Sequence, residues 1–409
     1  MNKKKILNDP IYGFIKIPDG LIFKIIEHPY FQRLRRIKQL GLTDYVYPGA
    51  IHTRFHHALG AMHLMDQALM NLISKGINIS EQEYEASLAA ILLHDVGHGP
   101  FSHALEESLL YGINHEQMSS IIIRHFNTIF DNQLDLALKI FNLQYHRPFF
   151  SQLVASQLDV DRLDYLNRDS FFTGVSEGKI GFDRILKMLN VSDDNIVIEE
   201  KAIYSIENFL SSRRLMYWQV YLHKTTVGTE KLLIQLIKRA KYLAQSGLLK
   251  SRNDSLRVFL DFDYSVRDIE DSKDLLKAYL SLDDHDIWGS IKIWQYHHDK
   301  VLSELSRMLI ERDLFRIIMK DKPIDPTLKE FLLKKVTENF SVSFEEANYL
   351  VVDGHMSNAA YEMDKSEINV MMKDGSIIDI AAASDLPNIK AMSKIVKKYY
   401  LCWPKSVSL

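Results

Sequence analysis

Apolar positions recur at helical spacing through most of the first 320 residues. Tyr84–His94 is almost unbroken Ala, Leu and Ile, which predicts a buried helix, and Gly97, Gly99 and Pro100 would then break it. Helical patterning also covers Tyr204–Tyr221 and Leu232–Leu249, and short strand signals lie at Ile11–Ile17 and Ile196–Ile198. Beyond Lys322-Pro323-Ile324-Asp325-Pro326 the pattern changes. There Ile368–Met372 and Ile377–Ile380 flank Asp374-Gly375, which reads as a β-hairpin. The expectation is a mainly α chain with short N-terminal and peripheral β-hairpins, a helical core with its extension over residues 1–326, and a small α+β C-terminal subdomain over 327–409. No internal repeat is visible.

Composition narrows the picture. With 409 residues, 46% of them hydrophobic, the chain can bury a sizeable core. Fifty Lys and Arg against 53 Asp and Glu leave a formal charge of −3, which argues against general nucleic-acid binding. The one cysteine, Cys402, allows no intramolecular disulfide and no Cys-based zinc module, so a reducing, cytoplasmic setting is expected. The basic start Met1–Lys5 lacks the apolar run of a signal peptide, because Asp9, Pro10 and Lys16 interrupt it. Apolar runs such as Leu88–Leu93 are too short to span a bilayer, so no membrane partner is expected.

Candidate chemistry begins where the Tyr84–His94 helix ends. His94-Asp95 places an imidazole beside a carboxylate at the end of an apolar helix, and His98 would share their face if the helix continued. With 16 His in the chain, a His-Asp pair arises by chance on the order of once. His285-Asp286 serves as a control for such chance pairs: it lies in an acidic stretch that reads as a solvated turn or helix start. Further ligand candidates are His56-His57, His115-Glu116 and the segment Asp159–Asp169. If residues 157–169 are helical, Asp161, Asp164, Tyr165 and Asp169 fall near one face; the alternative is a charged helix face of Asp and Arg pairs. Two imidazoles with two carboxylates suit one divalent transition metal, Fe, Mn, Zn, Co or Ni, without choosing among them. Residue types alone do not separate His56 from His57.

The ordered motifs Lys5–Gly13, Phe31–Gly41, Tyr47–Ala50, His57, His94-Asp95, His115-Glu116, Asp161 and Tyr221–Lys224 resemble the HD-domain phosphohydrolases. Within them the chain is similar to the deoxynucleoside triphosphate (dNTP) triphosphohydrolases related to the vertebrate SAM- and HD-domain dNTPase. The resemblance implies an HD-domain helical core with His57, His94, Asp95 and Asp161 as metal ligands, and Ala58 stands where the family usually has Ser or Thr. It implies His115 as general acid with Glu116 orienting it, and His98 and His103 as pocket histidines on the phosphates. A histidine suits proton donation because its ordinary pKa is near 6.5.

By the same resemblance Arg54, Arg213, Lys224, Tyr165 and Asp169 would grip the phosphates or the sugar hydroxyl. Gln39, Leu40 and Tyr221 would pack on the sugar and leave no room for a 2′-hydroxyl. The implied reaction is water attack on the α-phosphorus, releasing deoxynucleoside and triphosphate, with Mg accompanying the substrate phosphates. Lys5, Asn8, Gln32 and Arg35 match an effector site for a nucleotide activator, with Glu27 where the guanine-reading acid would stand, and a dimer or tetramer is implied. For Arg33, Arg35, Arg36 and Lys38 the alternative is a solvated basic face. Two other readings compete: an HD phosphohydrolase acting on another nucleotide or phosphoester, and an inactive nucleotide-sensing or nucleic-acid-binding protein.

Overall fold

The Arg54–Ser74 helix lies between the Glu81–Leu93 and Val160–Thr173 helices, and these three form the frame of the site. This computed structural model describes residues 5–110, 112–250, 253–358, 367–385 and 396–409, with the side chains of His103, Glu107 and Asn358 outside the description. Each frame helix starts at a local capping signal. Ser80 Oγ accepts from the Glu83 N–H at 3.2 Å while Glu83 Oε2 accepts from the Ser80 N–H at 2.8 Å. Asp159 Oδ1 accepts from the Arg162 N–H at 2.7 Å, so this helix begins at Val160 and not at 157 as the pattern suggested. It ends at Gly174, whose φ of 76° suits only glycine readily.

The chain is mainly α, as expected, and its sheets are small. Lys5–Asp9 and Gly13–Ile17 form an antiparallel hairpin whose turn is held by Asp9 Oδ1, which accepts from Ile11 and Tyr12 N–H groups at 2.9 and 3.1 Å. The hairpin around Asp374-Gly375 is present, pairing Asn369–Met371 with Ile377–Asp379. It joins a four-stranded sheet, because Asn369–Met371 also runs parallel to Asn195–Glu199. Arg316–Lys320 lies in the stretch read as helical, yet it is a strand on Val396–Trp403, which pairs with Val352–Asn358 on its other side. Its partner comes from some eighty residues further along, beyond the reach of local periodicity. Both larger sheets therefore join strands from the two sides of residue 326. Among the described residues no helix is long and apolar enough to cross a membrane.

Two readings of charged segments change. Arg33 is wholly buried and no part of a solvated face: it donates to the carbonyls of Val96 and His98 at 3.0 and 2.6 Å, and to those of Tyr279 and Leu282 at 3.2 and 3.1 Å. The stretch around His285 is the helix start that its reading allowed, with Asp283 capping Asp284–Trp294, but Asp283 and Asp284 are buried and not solvated, although His285 beside them is exposed. Asp284 accepts from the Lys38 and Phe101 N–H groups at 2.9 and 2.7 Å, and burial pushes its carboxyl up to about 6.

Arg33 thus satisfies four carbonyls that water does not reach. Replacing it with Met should cost at least about 3 kcal/mol of stability, measured by urea unfolding, because each orphaned buried acceptor costs about 1–3 kcal/mol. A loss below about 1 kcal/mol would show that those carbonyls find other partners.

Candidate metal centre and its cavity

His57 comes from the first turn of the Arg54–Ser74 helix, His94 caps the Glu81–Leu93 helix, and Asp161 opens the Val160–Thr173 helix. Their donor atoms converge. His57 Nε2 lies 3.2 Å from His94 Nε2 and 3.0 Å from Asp161 Oδ1, and His94 Nε2 lies 3.4 Å from both Asp161 Oδ1 and Asp95 Oδ1. Such separations are the edges expected between ligands that each sit about 2.0–2.2 Å from one cation.

The structure also separates His56 from His57. His56 Nδ1 accepts from the Thr53 N–H at 3.1 Å and caps the helix, which leaves His57 to face the cluster.

The donor set fits a divalent cation for a reason visible in the tautomers. His57 Nδ1 pairs with Asp164 Oδ2 at 2.7 Å and His94 Nδ1 with the Ile91 carbonyl at 2.6 Å; both acceptors require the proton on Nδ1. Each Nε2 therefore turns a lone pair toward the other, an arrangement that needs a shared cation or a proton between them. Burial alone would keep His57 neutral, but Asp161 and Asp164 outweigh it and lift it to about 10. Burial likewise opposes ionisation of Asp95, yet Arg54, His94 and His98 hold its carboxyl well below the usual range. The centre is thus built to hold positive charge.

Behind His57 runs a buried chain that sequence reasoning missed. Asp164 accepts from Arg168 Nε and Nη2, both at 2.9 Å, and Arg168 Nη1 reaches Asp9 Oδ2 at 2.7 Å. The pair fits against the ligand helix because Gly60 has no side chain there; a Cβ would overlap Asp164 Oδ1 and Arg168 Nη2. The signal available was Asp164 on the same helix face as Asp161, with Gly60 one turn beyond His57.

The helix does not continue to His98. Instead a tight turn, with the His98 N–H on the Asp95 carbonyl, brings His98 Nε2 to 3.3 Å from Asp95 Oδ1. Its ring stacks on His115 with centroids 4.0 Å apart, and burial together with Arg54 keeps His98 neutral. Gly97 permits this approach, since a Cβ would overlap His115 O and Ser119 N. His115 Nδ1 pairs with Glu106 at 3.0 Å and its N–H donates to the same oxygen at 2.6 Å. Glu106 therefore occupies the place expected of Glu116, which is exposed. The His115–Ile129 helix starts at His115, so the side chain of the next residue turns away around the helix.

A cavity of about 420 Å³ opens beside the centre, within the range of about 300–1,000 Å³ usual for small-molecule sites. Asp95, His98, His115 and Asp161 border it, together with Gln39, Leu40, Arg54, Tyr165, Asp169 and Tyr221. Arg54 pairs with Asp95 and donates to Ser102 Oγ at 2.8 Å. Ser102 and Phe101 both have positive φ, 53° and 56°, a strained turn held by these contacts and by Asp284.

Tyr221 donates to Asp169 Oδ2 at 2.7 Å while His52 holds Oδ1 at 2.8 Å. A single π turn over Tyr217–Tyr221 places both tyrosines on the wall, and Tyr217, Arg162 and Glu230 are lining residues that the sequence reading did not single out. Two expected residues are not on this wall. Arg213 is buried, donating to Gln157 Oε1 at 2.9 Å, and Lys224 is exposed at the start of its helix. His103 opens the His103–Leu109 helix, with its side chain outside the described residues.

Residues 54–169, which bracket the four candidate ligands, match the HD domain family, and residues 180–264 match the HD associated region. A crystal structure of a phosphohydrolase from Bacteroides thetaiotaomicron superposes with a TM-score of 0.95 at 49% identity, over 98% of this chain and 100% of that one. The uncharacterized protein YwfO of Bacillus subtilis is 32% identical over 403 residues, covering 94% of this chain and 88% of that protein. A deoxynucleoside triphosphate triphosphohydrolase SAMHD1 homolog of Dictyostelium discoideum is 29% identical over 392 residues, covering 85% and 74% of the two chains. The chain belongs to the HD-domain phosphohydrolase family, a class of metal-dependent hydrolases. Its His and Asp cluster is the feature that family membership calls for.

Two outcomes follow from the centre. Asp164→Asn should weaken metal affinity about 10–100-fold in a chelator competition, since it removes the charge that orients His57; unchanged affinity would detach the buried chain from the metal. A proton on His57 and a cation are alternatives, so with His57 lifted to about 10, acidification should favour the proton. Equilibrium dialysis with Mn²⁺ between pH 6 and 8 should then show apparent affinity rising about tenfold per pH unit for one displaced proton. A flat profile would mean that no ligand proton is displaced.

Proposed function

We propose that this protein hydrolyses dNTPs to deoxynucleoside and triphosphate by attack of water on the α-phosphorus. The observation that carries this reading is the continuity of one cavity, which borders the ligand carboxylates Asp95 and Asp161 and also the Gln39, Leu40, Tyr165, Asp169 and Tyr221 group. The name of the Dictyostelium relative supports it. A divalent transition metal on His57, His94, Asp95 and Asp161 would, when bound, supply Lewis acidity toward a phosphoryl oxygen and acidify a water.

The remaining work falls to the chain's own groups. Arg54 and Arg162 supply fixed positive charge at the cavity wall for the phosphates, with Mg accompanying the triphosphate. His98, kept neutral, orients against Asp95 and faces the same space. His115 is the proton donor to the leaving deoxynucleoside oxygen, with Glu106 fixing its ring. Tyr165 offers its phenol O–H to the sugar hydroxyl, while Tyr221, whose one O–H is given to Asp169, offers only its oxygen as an acceptor; burial pushes both phenols up, so both stay protonated. Gln39 and Leu40 are set in place by the antiparallel bridge between Lys38 and Thr53, and they close the space that a 2′-hydroxyl would need.

The activator expectation belongs to the same reading. Lys5 pairs with Glu27 at 3.6 Å, and Arg35 donates to Gln32 Oε1 at 2.7 Å, with Glu27 also acting on Arg35. Asn8 lies exposed on the strand that carries Lys5. These groups gather on the outer face, where a nucleotide activator could bind within a homo-oligomer.

Anion-exchange analysis of metal-loaded protein with the four dNTPs, and in parallel the four NTPs, tests the proposal. Triphosphate and deoxynucleosides should appear from the dNTPs alone. Orthophosphate or pyrophosphate would place another phosphorus beside the metal, and equal release from NTPs would remove the sugar argument.

A further inference from the structure

The cavity has four carboxyl groups on its wall, and three already have a role. Asp95 and Asp161 are ligands, and Asp169 is engaged on both oxygens by His52 and Tyr221. The fourth, Glu230, comes from the Lys224–Gln245 helix, and among the described contacts it makes no hydrogen bond or ion pair. Among the described residues Lys231 is the charged group that acts on it, and that ammonium lies over the Tyr400 ring at 5.6 Å, beside the C-terminal sheet. Neither the ligand cluster nor Arg54 or Arg162 acts on Glu230.

A carboxyl that accepts from no described group is repelled by the phosphates of a polyanion. The phosphates belong where Arg54, Arg162 and the ligands are, which leaves Glu230, with Leu222 and Thr43 on the same wall, for the part of the substrate that carries no charge. In a nucleotide that part is the base.

Resting on the dNTP reading above, we propose that Glu230 contacts the base and favours amino-bearing bases over thymine. Guanine, adenine and cytosine each present an exocyclic amino group that a carboxyl oxygen accepts from, whereas thymine presents carbonyls flanking a single N–H. Burial pushes the Glu230 carboxyl up to about 7, against the smaller opposing pull of Lys231.

The test measures kcat/KM for each dNTP separately, and binding of the four deoxynucleoside monophosphates by isothermal titration, in wild type, Glu230→Gln and Glu230→Ala. Circular dichroism and melting temperature establish that both variants are folded. Wild type should use dTTP least well, and Glu230→Gln, whose amide also donates, should shrink the preference over dTTP by about tenfold. Preferences unchanged in both folded variants overturn the assignment. If wild type binds the monophosphates with this preference and Glu230→Gln erases it, yet no dNTP is hydrolysed, base contact stands and the triphosphohydrolase reading falls. Absence of any nucleotide binding overturns both.

Discussion

Asp164 is a carboxylate with no exposed surface, and it exists there as an anion because each of its oxygens is engaged by a cation or a proton donor. An ion pair so placed contributes little net stability, since desolvation offsets the Coulomb attraction, but removal of either partner strands a buried charge. Its value is geometric. One end of the chain fixes the His57 tautomer, and the other anchors Asp9, which also shapes the turn of the N-terminal hairpin. The metal centre and the first two strands are therefore positioned by one set of charges, and the absence of a side chain at Gly60 is the steric condition for it.

A second pair of buried groups holds the opposite rim. Arg33 gathers carbonyls on either side of Gly97, and Asp284 gathers amides from the segments that lead into Gln39 and His103. Two loops that border the cavity are thus pinned by side chains from outside it. This is why Phe101 and Ser102 can stay in left-handed backbone next to the site, where strain of about 1–3 kcal/mol per residue has to be held by the surroundings. With the loops fixed, Arg54 meets both Asp95 and Ser102, and the ring of His98 lies flat on His115.

Charge is divided along the resulting cavity. Arg54, Arg162, Asp95 and Asp161 line one cavity with the phenol groups that the π turn at Tyr217–Tyr221 supplies and with Glu230. Under the proposed function, such an uneven charge lining would orient a phosphorylated substrate by electrostatics. The Glu106–His115 pair places an oriented imidazole beside the centre, as proton transfer to a leaving group requires.

Much of this was legible along the chain. The apolar run ending in His94-Asp95, the capping signals and the Asp374-Gly375 hairpin are local, and local sterics and periodicity specify them without knowledge of distant partners. Ligand types were legible for the same reason, since few side chains bind transition metals. The non-local choices were not. His57 over His56, Glu106 over Glu116, the burial of Arg33 and Asp284, and the strand at Arg316–Lys320 each depend on a partner brought from elsewhere in the chain. By itself the sequence determined the helical core and the chemistry available to it. Only the tertiary structure decided which groups share a proton, a cation or a cavity, because those pairings act over a few ångströms in space whatever their separation along the chain.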